Sequence, residues 1–128
     1  MNDLVLVDSS AWISAARQGG DPEVAAEVGE LLQAGRAAMA APVWVELYQG
    51  IRSKREEARL AESRRACHWL SFDDACWTEA AVCSRACLRT GVNVPFGDIL
   101  IHACATRHKV ELLERDRHFA MIRKAMGK

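Results

Sequence analysis

The chain has 128 residues, 50% of them hydrophobic and 27% charged, which is the balance of one ordinary globular domain spanning residues 1–128. Its 17 basic groups offset its 17 acidic ones, so no global positive field draws in nucleic acid, and a polyanion must be held by local chemistry. No apolar run approaches the ~20 residues of a membrane span, and the start Met1-Asn2-Asp3-Leu4 lacks a basic leader, so the expected location is cytoplasmic.

In chain order, Leu4-Val5-Leu6-Val7 is a wholly apolar run, as a buried parallel strand requires. Asp8-Ser9-Ser10 then offers cap residues for a helix carrying Trp12, Ile13, Ala15 and Ala16, which Gly19-Gly20 ends. Asp21-Pro22 starts a second helix, with Asp at the cap and Pro at the first helical position. Its apolar stripe is Val24, Val28, Leu31 and Leu32, and Gly35 stops it. Residues 37–41 are a strand candidate, although alanine favours helix. Pro42 opens a third helix through Tyr48 that stops near Gly50.

A charged helix follows from Lys54 to Cys67. The basic groups Arg52, Lys54, Arg55, Arg59, Arg64 and Arg65 form a candidate patch for a polyanion; set against Glu56, Glu57 and Glu62, they read more readily as a solvated face laced with ion pairs. Residues 69–72 are a short extended segment, and Ser71 with Asp74 forms a capping-box-like start for a helix to about Thr90. After a loop at 92–97, Asp98 caps a helix from Ile99 to His108. Residues 110–113 are the last strand, and Asp116 precedes a short helix through Ile122. Strands alternating with helices predict an α/β fold with a central, mostly parallel sheet covered on both faces.

The cysteines at 67, 76, 83, 87 and 104 are odd in number and contain no CxxC, which argues against both a disulfide framework and zinc. Cys76, Ala80, Cys83 and Cys87 recur at helical spacing, the pattern of small core residues on a buried face.

Four acids converge on this architecture. Asp8 follows the first strand, Asp116 follows the last, and Glu46 lies one turn into the helix after the second. From Asp98 the chain descends a helix of roughly 16 Å and returns along a strand of roughly the same length. Asp98 therefore shares an end with Asp116, and that carboxyl edge is where open α/β sheets bind ligands. Glu46 is the one charge in the run from Pro42 to Tyr48, where an unpaired carboxylate is costly to bury. Two such charges about 4 Å apart repel by about 4 kcal/mol at an effective dielectric near 20. A cluster of that kind calls for a cation, and hard oxygen donors select Mg²⁺ or Mn²⁺. Phosphodiester hydrolysis is the chemistry such a site serves.

The chain resembles a PIN-domain ribonuclease, specifically the VapC-type toxin of a type II toxin–antitoxin pair. The resemblance runs through Leu6-Val7-Asp8-Ser9-Ser10-Ala11-Trp12-Ile13, Val45-Glu46-Leu47, Gly97-Asp98-Ile99-Leu100-Ile101-His102-Ala103 and Leu113-Glu114-Arg115-Asp116-Arg117-His118-Phe119. It implies a three-layer α/β/α sandwich and an Mg²⁺-dependent endoribonuclease, with Mn²⁺ substituting. Asp8, Glu46, Asp98 and Asp116 would be its catalytic acids. Asp8 and Asp98 would be metal ligands, Asp116 would join directly or through water, and Glu46 would orient water or a second ion. Ser10 would support Asp8. Many relatives end the last motif in D-x-D-F, whereas His118 stands in the second acidic position here, so position 118 is read as a loop histidine and left out of the ligand set.

The implied partners are an RNA substrate and a cognate VapB-type antitoxin, in a homodimer and a toxin–antitoxin hetero-oligomer. Trp12 is a candidate edge of the antitoxin groove, with Leu32 or Tyr48 beside it; a core position is its equal alternative. A phosphotransfer receiver domain would need paired acids after the first strand, where Asp8 has only Ser9 and Ser10 after it. A D-x-D-x-T phosphatase needs an acid at Ser10. A catalytically inactive PIN-like binding module and another Mg²⁺-dependent phosphoester hydrolase stay open.

Overall fold

Val5–Val7 forms β1 with every residue buried, because neighbouring strands flank it on both edges and helices cover its faces. The computed structural model describes residues 3–128; Met1 and Asn2, part of the stretch read for a leader, lie outside them. Chain order continues as α1 (Ser9–Ala16), α2 (Pro22–Gln33), β2 (Ala37–Ala40), α3 (Ala41–Gln49), α4 (Lys54–Ala66) and β3 (His68–Leu70). It ends with α5 (Asp74–Arg89), α6 (Phe96–His108), β4 (Glu111–Leu113) and α7 (His118–Ala125).

The sheet order is β3-β2-β1-β4, and every pairing is parallel, more uniform than the mostly parallel sheet expected. Helices α1 and α2 pack together, as do α5, α6 and α7, while α3 touches both α1 and α6. The result is an α/β/α sandwich. In β2 the four residues Ala-Ala-Met-Ala are fully buried. Burial between two strands and two helical layers outweighs alanine's helical preference, which is a weak local term.

Local chemistry sets the boundaries. Asp21 accepts from the Glu23 amide at 2.9 Å and Pro22 takes the first position of α2, as read from sequence. Gly35 (φ 68°) and Gly91 (φ 71°) adopt left-handed backbone where α2 and α5 end. Two caps differ from expectation. Asp73, not Ser71, caps α5, accepting from the Cys76 amide at 3.1 Å. Ser71 instead presents its carbonyl to His108 Nε2 at 2.7 Å. Helix α6 begins two residues before Asp98, with Pro95 at the cap and no side-chain bond there. Asp98 thus occupies the first turn rather than the cap.

Trp12 is a core residue, 9% exposed and packed in the central apolar cluster, so it does not edge a groove. The stripe Cys76, Ala80, Cys83 and Cys87 is buried on α5 as its spacing suggests. None of the residues of α4 is buried, and its Arg64 guanidinium stacks on Trp44 and Trp69, 4.5 and 4.1 Å from their ring centroids.

His102, buried on α6 with Nε2 lacking a partner, carries a consequence for acid stability. Burial, then the charges of Lys128 and Arg123, lower its pKa from 6.5 to about 4. Between those values the unfolded chain binds a proton that the folded chain refuses, so stability falls as pH falls through that window. The loss from this residue should approach about 3 kcal/mol. Denaturant unfolding of wild type and His102→Gln across that range measures it, and identical pH slopes in the two would refute it.

Candidate active site

Asp8 sits one residue past β1, where its backbone amide donates to the Leu113 carbonyl at the end of β4 (2.9 Å). One carboxylate oxygen does the capping. Oδ2 accepts from the Ser10 amide at 3.0 Å and from the Ser10 hydroxyl at 2.5 Å. The same hydroxyl accepts from the Arg115 amide at 2.9 Å, joining the β1 and β4 exits. Arg115 in turn pairs with Asp21. The other oxygen, Asp8 Oδ1, is buried with no hydrogen-bond partner.

Asp98, in the first turn of α6, is also buried, and its Oδ2 likewise has no hydrogen-bond partner. Leaving a buried charged oxygen unsatisfied costs at least ~1–3 kcal/mol. Two of them at one edge mark a place prepared for something else.

Glu46 reaches the edge from α3. Its Oε1 accepts from the Ser9 hydroxyl at 2.7 Å, and its Oε2 lies where a side chain at position 97 would begin, so the carboxylate keeps this place only over glycine. Asp116, after β4, accepts at Oδ1 from the His118 amide (2.9 Å) and lies 2.6 Å from His118 Nδ1. His118 Nδ1 is also 3.4 Å from Asp98 Oδ2. The structure therefore brings all four acids to one edge, and it adds His118, which the sequence reading set aside as a loop residue. Donor atoms of Asp98, Asp116 and His118 lie within 4.8 Å of one another. The signal available in sequence was its place two residues after Asp116; what hid it was the change of chemistry from carboxylate to imidazole.

The electrostatics follow from this crowding. Burial first, then the hydrogen bond and charge of Asp116 and the charges of Asp8 and Glu46, push the Asp98 carboxyl well above the usual range. Burial also pushes Asp116 upward, but the hydrogen bond from Asp98 and those of His118 outweigh it and hold Asp116 low. The two therefore share a proton, carried on Asp98. Burial raises Asp8 despite its bonds to Ser10, and Glu46 adds to the shift. A divalent cation would replace that proton. The orphaned Asp8 oxygen and the carboxylates of Asp98 and Asp116 fit a hard ion, with the His118 imidazole standing among them.

A fully parallel α/β/α sandwich that gathers four carboxylates at the carboxyl ends of its strands defines an acidic-edge α/β protein. The family described as PIN domain matches residues 5–125. The chain is 34% identical over 123 residues to the VapC ribonuclease Mb1587 of Mycobacterium bovis, covering 93% of this chain and 91% of that one. The same figures hold for ribonuclease VapC11 of Mycobacterium tuberculosis. Among solved structures, FitAcB from Neisseria gonorrhoeae aligns with a TM-score of 0.72 at 16% identity, covering 94% of each chain. DNA-bound VapBC from Salmonella typhimurium aligns at 0.76 and 14% identity, covering 94% of this chain and 92% of that one. The chain belongs to the PIN-domain family, within its VapC group.

Proposed function

We propose that this chain is a VapC-type toxin, an endoribonuclease that hydrolyses RNA phosphodiester bonds with Mg²⁺, or Mn²⁺ in its place, at Asp8, Glu46, Asp98 and Asp116. The observation that carries this reading is a pair of buried carboxylate oxygens at one edge that make no hydrogen bond, Asp8 Oδ1 and Asp98 Oδ2, the latter 3.4 Å from His118 Nδ1. Asp8 and Asp98 are the metal ligands in this reading, with Asp116 joining directly or through water. Residues 1–128 act as one PIN domain. When bound, the ion activates water, polarises the phosphoryl group and neutralises charge that an otherwise neutral protein cannot offset.

The residues divide the remaining work. Ser10 holds Asp8 in one rotamer, so its free oxygen keeps a fixed aim. Glu46, oriented by Ser9 and bedded on Gly97, positions the attacking water. His118 steadies Asp116 through its backbone amide and Nδ1, both on Asp116 Oδ1.

The proposed partner is a VapB-type antitoxin, in a hetero-oligomer of toxin homodimers. With Trp12 in the core, the apolar side chains left outward on α1 and α3 are Ile13, Val45 and Tyr48, 52%, 58% and 47% exposed. They suit an apolar antitoxin segment. No helix among the described residues is long and apolar enough to cross a membrane, and this reading places the toxin with its RNA in the cytoplasm.

The products test the reaction. Water attack on phosphorus does not use the 2′-hydroxyl, so fragments should carry 5′-phosphate and 3′-hydroxyl ends. EDTA should stop cleavage and Mn²⁺ restore it. Cyclic 2′,3′-phosphate ends, or cleavage that persists in EDTA, would sink the reaction proposed. RNA binding without cleavage in Mn²⁺ would instead support an inactive PIN-like module.

A further inference from the structure

At the opposite end of α6 from Asp98, a second set of donors comes together. Cys104 and His108 stand four residues apart on α6 and so share one face. Cys76, from the first turn of α5, meets them. The Sγ atoms of Cys76 and Cys104 and a ring nitrogen of His108 all lie within 4.8 Å of one another. Ten residues of α6 separate Asp98 from His108, about 15 Å of helix.

We propose that Cys76, Cys104 and His108 form a structural site for Zn²⁺ that ties the start of α5 to the end of α6. Two thiolates and an imidazole are donors for a soft or borderline ion, unlike the carboxylate-dominated group at the acidic edge. Zinc holds sulfur at about 2.3 Å in a tetrahedron, which sets ligand atoms about 3.8 Å apart. A group already inside 4.8 Å closes on the ion with side-chain shifts of about an ångström. The Ser71 carbonyl faces the same point, 2.7 Å from His108 Nε2 and 3.7 Å from Cys76 Sγ, leaving it or a water to complete the shell.

The surroundings favour a cation. The Asp73 carboxylate, which caps α5, acts on both His108 and Cys104. Both cysteines are fully buried, while His108 is half-buried and leaves a way in. Spacing could not reveal the set, because its members come from two helices and only the C-x₃-H of α6 is local.

Co²⁺ serves as the spectroscopic probe, added to reduced, metal-free protein in excess Mg²⁺ that fills the acidic edge. About one equivalent should produce thiolate-to-cobalt charge-transfer absorption, and Zn²⁺ should abolish it. Carboxylate oxygens give no such band. Cys76→Ser and Cys104→Ser, each checked by circular dichroism for a native fold, should lose the band. His108→Ala, likewise checked by circular dichroism for a native fold, should weaken Co²⁺ binding at least about tenfold. Cys83→Ala should leave the band intact. No band in folded wild type at excess Co²⁺ overturns the site, as does undiminished Co²⁺ affinity in His108→Ala. Loss of the band in Cys83→Ala assigns the metal elsewhere and overturns it too.

Discussion

Asp98→Asn is expected to reduce RNA cleavage to background while leaving the metal-free protein as stable as wild type or more so. Asn keeps the shape but removes the charge. In the metal-free chain Asp98 is buried, has an oxygen that makes no hydrogen bond and faces Asp8, Glu46 and Asp116. An acid whose pKa is raised by folding costs stability above its ordinary range, because the unfolded chain ionises it freely. That stability returns as pH falls from neutral toward the ordinary carboxylate range. Its first-turn place on α6 offsets part of the cost through the helix dipole, by about 1 kcal/mol at most. Asn should therefore flatten this component of the pH profile.

Metal reverses the comparison. At an ion concentration about ten times its dissociation constant, wild type should gain about 1.4 kcal/mol. For a domain of this size that is roughly 5 °C, and Asp98→Asn should lose most of the rise. Melts of both proteins in Mn²⁺ and in EDTA read the difference. Strong destabilisation of Asp98→Asn in EDTA would make Asp98 a structural residue and remove it from the site.

Gly97→Ala is expected to lower the cleavage rate at saturating RNA by about 100-fold or more, since displacements of about 1 Å carry that cost. The new methyl would collide with Glu46 Oε2 and break its bond from Ser9. Stability should hold, because Gly97 has no left-handed backbone to lose, and alanine gains up to ~1 kcal/mol over glycine in a helix. The affected group is the far end of a half-buried side chain, which can swing aside. Loss of rate with an unchanged melting temperature separates positioning from folding. Activity within about threefold of wild type would show that Glu46 tolerates displacement and does not position water.

The acidic edge was legible because it follows from arithmetic along the chain. Asp8 and Asp116 follow strands, and α6 and β4 cover matching lengths, so Asp98 had to return to the same end. Asp21-Pro22 marked the start of α2 because caps are local chemistry. The start of α6 was misplaced because Pro95 caps it without a side-chain bond, so the cap expected at Asp98 lay three residues early. The cap of α5 falls at Asp73 rather than Ser71, because the Asp73 carboxylate accepts from the Cys76 amide, while the Ser71 carbonyl meets His108, 37 residues away.

Short-range pattern thus determined the element order, and the alternation of strands with helices pointed to a parallel sheet and its carboxyl edge, although the pairing itself joins residues as distant as Val5 and Glu111. Tertiary packing alone decided that Trp12 is core, that His118 turns onto Asp116 and Asp98, and that Glu46 is bedded on Gly97. It also decided that Cys76 meets Cys104 and His108. Those contacts join separate elements across the packed layers, and no local periodicity encodes which side chains meet there.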